Sequence, residues 1–139
     1  MNELFSVKDY VVVITGGTGV LGQAIGKYLA TQGAKVCILG RREEEGKKIV
    51  DAITEAKGIA KFYKCDVMDK AVVEKACDEI LNDFGRVDTL LNAAGGNMKG
   101  ATIAPDQTFF DLDHEQFEKV LNLNLVGTVI PTQVFLRPM

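Results

Sequence analysis

Residues 15 to 22 read Thr15-Gly16-Gly17-Thr18-Gly19-Val20-Leu21-Gly22, and the chemistry this spacing suits is the binding of a diphosphate. Gly17, Gly19 and Gly22 form a G-x-G-x-x-G run directly after an apolar, β-branched stretch and before a segment of helical period. A diphosphate needs free backbone N–H groups at a helix N-terminus, and a Cβ in that turn would hold it away. Gly19, Gly22 and Gly26 fall at i, i+3 and i+7, so one helix face is nearly bare and can press against a sheet. The alternative is a glycine-rich turn without a ligand; the position after a first strand favours a nucleotide. A P-loop is excluded, because Gly26-Lys27 is followed by Tyr28. Metal chemistry has little to stand on. There is one histidine, His114, and Cys37, Cys65 and Cys77 form no C-x-x-C pair, so no metal site is expected. The three cysteines read as reduced, buried thiols.

The elements that must position this loop follow from the hydrophobic period. Residues 10–15 are apolar on both faces, as a central parallel strand requires. Leu21, Ile25 and Leu29 then recur at helical spacing until Gly33. Residues 35–39 predict a second strand, and residues 43–57 a helix that buries Ile49, Ala52, Ile53 and Ala56 before Gly58. A third strand is expected over 59–65. Asp69 caps a helix running to Phe84, with Val73, Cys77, Ile80 and Phe84 on one stripe, and Gly85 stops it. Residues 87–92 predict a fourth strand, and the glycine-rich stretch 93–111 a loop long enough to carry function. Asp113, with Gln116 three residues on, starts a last helix carrying Phe117, Val120, Leu121, Asn124 and Thr128 on one side. The sum, βαβαβαβ plus a helix, is a single α/β domain over residues 1–139: a doubly wound parallel sheet.

Four segments, in order, carry a resemblance. Thr15-Gly16-Gly17, Asp66-Val67, Asn92-Ala93-Ala94-Gly95 and Asn124-Leu125-Val126-Gly127 together resemble the short-chain dehydrogenase/reductase family of NAD(P)-dependent oxidoreductases. The resemblance covers nearly the whole chain. It implies a Rossmann-like sheet in the order 3-2-1-4 with helices on both faces. It also implies a truncated dinucleotide-binding domain, because the family's catalytic second half is absent from these residues. Cofactor contacts are implied at Gly16, Thr18, Gly19, Leu21 and Gly22, at Asp66 and Val67 beside an adenine, and at Asn92, Ala93, Ala94 and Gly95. Without the resemblance, Asp66 reads as a cap on the turn before Asp69, and Asn92 as a strand-end turn residue. One departure stands out: the family's usual spacing is TGxxxGxG, whereas this chain reads TGxxGxxG, with Val20 where the middle glycine sits. That spacing resembles the extended, epimerase-like branch; the Asn-Ala-Ala-Gly and Asn-Leu-Val-Gly segments favour the dehydrogenase branch. Gly95-Gly96-Asn97 and Thr108-Phe109-Phe110-Asp111-Leu112-Asp113 further resemble the mannonate (fructuronate) oxidoreductase-like group. A sugar acid is therefore the implied substrate, with Asn97, Lys99 and the 96–111 loop near its carboxylate.

NAD sites of this kind place a carboxylate at the end of strand two, against the ribose diol. Leu39-Gly40-Arg41-Arg42 offers none, and the arginine fork of Arg41 and Arg42 suits a 2′-phosphate, so NADP is expected over NAD. The alternative for both arginines is a solvated helix start. Hydride transfer to a carbonyl also needs a group to protonate the oxygen. In the family this is a Tyr with a Lys four residues on, assisted by a Ser. Here Tyr10, Tyr28 and Tyr63 are followed at that distance by Ile14, Gln32 and Val67, and the only serine, Ser6, precedes the first strand. Asn124 alone matches the catalytic set, as the amide that holds a water in a proton relay; otherwise it is a structural Asn needing partners on an apolar helix side. Leu136-Arg137-Pro138-Met139 puts a proline where a helix should continue, so a truncation or frameshift near residue 136 is expected. The chain alone is then expected to be inactive. Two further readings stay open: a non-catalytic dinucleotide-binding or interaction module, and an extended-branch epimerase fragment.

Composition bounds the rest. A chain of 139 residues allows one domain, and a 47% apolar content excludes disorder. The apolar runs at 11–14 and 125–130 are far short of a bilayer span, and a net charge of −3 lacks the basic footprint for nucleic acid. Met1-Asn2-Glu3-Leu4-Phe5 has no basic region before an apolar stretch, so a cytoplasmic protein is expected. A fourth strand without its neighbour leaves Leu90-Leu91-Asn92-Ala93 as an apolar edge, and the last helix exposes a face that the family uses for subunit contact. Self-association as a homo-oligomer is therefore expected.

Overall fold

The computed structural model describes residues 3–139. Met1 and Asn2, part of the stretch read for a leader, lie outside the described residues. Strands β1 (Val11–Thr15), β2 (Lys35–Gly40), β3 (Ile59–Lys64) and β4 (Thr89–Asn92) form one parallel sheet in the order β3-β2-β1-β4. This is the expected Rossmann-like arrangement. In its centre Val13 of β1 is level with Cys37 of β2 on one side and Leu90 of β4 on the other.

All five residues of β1 are buried, because both sheet faces are covered. Val11 and Val13 point into one layer, with Val73, Cys77 and Ile80 of α3 (Lys70–Phe84) and Val134 and Phe135 of α5 (Gly127–Phe135). Val12 and Ile14 point into the other, with Ala30 of α1 (Val20–Thr31) and Ile49 and Ile53 of α2 (Glu43–Glu55). The period-two pleat of one strand thus feeds two cores. The signals that end α3 act locally: the Asp69 carboxylate accepts the Val72 N–H, and Gly85 closes the helix at φ +76°.

Two helices turn differently from their apolar period. In α1 the buried residues are Gly22, Gly26 and Ala30, while Leu21 is 74% exposed. The helix lies so close to the sheet that a Cβ on Gly26 would stand 3.1 Å from Ile38 Cδ1. In α2, Ile49 and Ile53 are buried as expected, but Ala52 and Ala56 face outward. Their place is taken by Gly46, where a Cβ would collide with the Phe62 ring.

The last helix is interrupted. α4 (His114–Leu121) runs through a wide π turn (Asn122–Val126) into α5. Asn124 Nδ2 donates to the Val120 carbonyl at 2.8 Å, where a regular helix would place a backbone N–H. Pro131 has no N–H to give, and the Thr128 and Thr132 hydroxyls donate to the carbonyls of Asn124 and Thr128. Side chains inserted into the i→i−4 ladder divert it into a wider turn. At its start, the Asp113 carboxylate accepts the Gln116 N–H as expected. Gln116 Oε1 instead reaches across to the Gly100 N–H.

Candidate functional site

The glycine loop connects β1 to α1 and is shaped by what its missing side chains allow. Gly16 has φ +61°, and a Cβ there would meet Ala94 Cα at 2.6 Å. At Gly22 a Cβ would lie 2.5 Å from the Gly16 carbonyl oxygen, so the helix starts directly against the turn. Gly19 is the N-cap and supplies no side-chain cap, and the first turn holds no acid. The first helical bond is Gln23 N–H to Gly19 O. The N–H groups of Val20, Leu21 and Gly22 are therefore left for a ligand, at the positive end of the helix dipole.

This loop opens on a cleft of about 250 Å³ at the carboxyl ends of the strands, where open parallel sheets bind ligands. The structure brings Gly16, Thr18, Gly19, Arg41, Arg42, Asp66, Val67, Ala93, Ala94 and Gly95 together around it. Leu21, Gly22 and Asn92 do not line it; the first two can offer backbone N–H groups only. Three lining residues were missed: Gly40, Cys65 and Leu123. Gly40 carries a readable signal, a glycine at the end of a strand facing a glycine loop. Cys65 and Leu123 carry none.

At the end of β2 the two arginines differ. Both are exposed, but Arg42 Nη2 donates to the Thr18 carbonyl at 2.7 Å, whereas the Arg41 side chain makes no hydrogen bond or ion pair within the described residues. The arginine fork is thus half engaged by the chain itself. The Asp66 carboxylate accepts the Met68 N–H at 3.0 Å with one oxygen, so the turn-capping reading and the cleft-lining placement both hold. Cys65 beside it has its thiol pushed up to about 12 by burial, with the Asp66 and Asp69 charges adding to the effect.

The far wall is tied to the loop and to the last helix. Ala94 N–H donates to Thr15 Oγ1 at 3.2 Å, and Asn92 Nδ2 to Thr132 Oγ1 at 3.1 Å. Asn124 is exposed rather than set among apolar groups, and it satisfies its amide by pairing with the Gly96 peptide. Its Oδ1 accepts the Gly96 N–H at 3.1 Å, and its Nδ2 donates to Gly96 O at 2.8 Å. A Cβ on Gly95 would stand 2.5 Å from that Oδ1. Asn124 therefore lies one residue beyond the cleft lining and holds the wall from behind. Asn97 bonds to Thr102 and the Met98 N–H, and neither Asn97 nor Lys99 reaches the cleft.

No described tyrosine is placed for acid–base work at the cleft. Tyr63, the buried one, lies in the core on the α3 side and donates to Asp83 at 2.6 Å. Burial and that carboxylate hold its hydroxyl protonated, the reverse of an activated phenol, although Lys61 lies 5.6 Å from its ring centre.

Sheet order, glycine turn and cleft position define a Rossmann-like architecture. A family model described as short chain dehydrogenase matches residues 10–139, and the chain belongs to that family of oxidoreductases. An uncharacterised oxidoreductase of Bacillus subtilis (strain 168), UxuB, is 42% identical over 131 residues, a match taking in 88% of this chain and 47% of that protein. A Haemophilus protein provisionally assigned as a D-mannonate oxidoreductase, with bound NAD, superposes with a TM-score of 0.86 at 34% identity, over 95% of this chain and 51% of that one. An actinorhodin polyketide ketoreductase with NADPH superposes with a TM-score of 0.82 at 27% identity, over 94% and 47%. The chain spans about half the length of the relatives it matches. Among the described residues no helix is long and apolar enough to cross a membrane.

Proposed function

We propose that this chain is the dinucleotide-binding half of a cytoplasmic oxidoreductase that passes hydride between NADP and a carbonyl or secondary alcohol, with a sugar acid as the substrate class. The observation that carries this reading is the bare glycine turn. Gly16 and Gly22 admit no Cβ because the backbone of Ala94 and of Gly16 stands within 2.6 Å, so α1 starts tightly against the turn with the first three N–H groups of the helix unpaired. A bound nicotinamide dinucleotide would supply the hydride. Of this chain's own groups, the N–H donors of Val20, Leu21 and Gly22 hold the diphosphate, and the free oxygen of Asp66 is available to an adenine amine. Arg41, whose guanidinium has no hydrogen bond or ion pair among the described residues, is the cation for a 2′-phosphate. The NAD and NADPH seen in two relatives show both cofactors within the family, so the preference rests on Asp66 being the sole acid among the described residues that line the cleft, with arginines at the end of β2. The sugar-acid class draws support from the Haemophilus relative. The Ser and the Tyr-x-x-x-Lys belong, in this reading, to a second half of the enzyme; the 139 residues bind without turnover. We include self-association through the open edge of β4 and the last helix.

A second reading, a dinucleotide-binding module with no catalytic role, is favoured by one observation: the only buried tyrosine described is held protonated and away from the cleft. Both readings face the same titration. NADPH and NADH are added to the purified chain and followed by nicotinamide fluorescence. NADPH should bind more tightly, and Arg41→Ala should weaken NADPH about tenfold while leaving NADH unchanged, as the loss of one charge-assisted phosphate contact implies. If neither dinucleotide binds, the reading is wrong; if Arg41→Ala leaves NADPH untouched, the preference for NADP is wrong. Adding the C-terminal half of a full-length relative and regaining turnover would decide against the non-catalytic module.

A further inference from the structure

We infer that Arg42 is a positioning residue of the glycine loop and not a reader of the cofactor's 2′ substituent; this rests on the dinucleotide reading above. Among the described residues, Arg42 is the only side chain that bonds to the backbone of residues 16–19. Its Nη2 holds the Thr18 carbonyl at 2.7 Å, while the N–H at the other end of the same peptide unit, that of Gly19, donates to Gly16 O at 2.9 Å. The peptide plane just before α1 is thus pinned at both ends. Because α1 begins at the next residue, that plane sets the direction of the three free N–H groups that follow. A Thr18 carbonyl released from Arg42 would be free to turn its oxygen toward an anion, which it repels.

The strand beneath completes the grip. Gly17 N–H donates to Leu39 O at 2.9 Å, and Gly40 must be bare because a Cβ there would stand 2.8 Å from Thr18 Oγ1. Gly40 and Arg42 therefore hold Thr18 by its side chain and its carbonyl, and the residue between them, Arg41, is left outward. Thr18 is accordingly buried, at 8% exposure, although it lies in a surface turn. Arg42 is the N-cap of α2 but makes no side-chain cap bond there, so replacing it removes no helix cap.

A reader of the 2′-phosphate and a holder of the loop predict different patterns. Arg42→Met keeps the stem and removes the donors. The dissociation constants of NADPH and NADH should both rise about tenfold, leaving their ratio unchanged within about twofold. Amide hydrogen exchange at residues 17–22 of the ligand-free chain should speed up by a similar factor while exchange in β1 stays as it was. Gly40→Ala, which displaces Thr18 without touching a charge, should reproduce the equal loss. A loss confined to NADPH, or loop exchange that does not change, would overturn the inference. If the unsubstituted chain binds neither dinucleotide, the function proposed above fails. The exchange comparison then still decides the role of Arg42: faster loop exchange supports it and unchanged exchange refutes it.

Discussion

Gly22 and Gly26 lie four residues apart on the buried face of α1, and alanine at each should have opposite consequences. Both substitutions gain helix propensity, about 0.8–1 kcal/mol in a helix interior and less in the first turn where Gly22 sits. The difference is in what the new methyl meets. At Gly26 the neighbours are side-chain ends, Ile38 Cδ1 at 3.1 Å, Ile14 Cδ1 at 3.3 Å and Val36 Cγ1 at 3.4 Å, which can give by tenths of an ångström. At Gly22 they are backbone, Gly16 O at 2.5 Å and Gly17 Cα at 2.8 Å, so the glycine turn itself must move. Overpacking of that kind costs roughly 1–3 kcal/mol, which outweighs the propensity gain. Gly26→Ala should therefore lie within about 1 kcal/mol of the parent, and Gly22→Ala about 1–2 kcal/mol below it. For a chain of this size each kcal/mol is about 3–5 °C in Tm. Thermal melts by circular dichroism read the stability, and fluorescence titration reads the site, where only Gly22→Ala should weaken both dinucleotides by about tenfold or more. Equal Tm and equal affinity in the two variants, or the reverse order, would refute the assignment of the α1 face and of the turn it shapes.

Three other outcomes follow from the same structure. Cys37 and Cys65 have thiols pushed up to about 12 by burial, and burial raises Cys77 as well. At pH 8 only about one part in ten thousand of the first two is thiolate, so all three should resist alkylation until the chain unfolds; rapid labelling of the native protein would contradict this. The Asp113 carboxyl is held below its ordinary 3.8 by the Gln116 N–H, and that of Asp111 by the Thr108 N–H. A depressed folded pKa contributes stability that is present above about pH 4 and is lost as pH falls through the folded value. The starts of α4 and of the 109–111 turn should thus fray as pH falls below about 4, and Asp113→Asn, which keeps a capping oxygen, should flatten that dependence; an unchanged acid transition would count against it. Phe117, Leu121, Leu125 and Val129 are all at least 40% exposed along the last helix, and β4 has an unpaired outer edge. Light scattering should find the chain self-associated, with Leu125→Glu shifting it toward monomer; a monodisperse parent monomer would rule this out.

The architecture was legible in residue type and spacing, because its signals are local. A strand apolar on both faces, such as β1, has to lie inside a covered parallel sheet. Asp69 and Gly85 bound α3 through contacts within three or four residues. The glycine turn was readable for the same reason: a diphosphate cradle needs missing side chains at fixed offsets. Which face α1 buries was settled by packing alone. Leu21, Ile25 and Leu29 repeat with the same period as Gly22, Gly26 and Ala30, and the choice depends on how close the helix comes to Ile38. Packing also decided that Arg42 is spent on Thr18, 24 residues away, and Asn124 on Gly96, 28 residues away. A long polar side chain takes whichever partner the packed elements bring within 3 Å. Nothing in residue type or spacing encodes that distance; the stacking of two helical layers on β1 does.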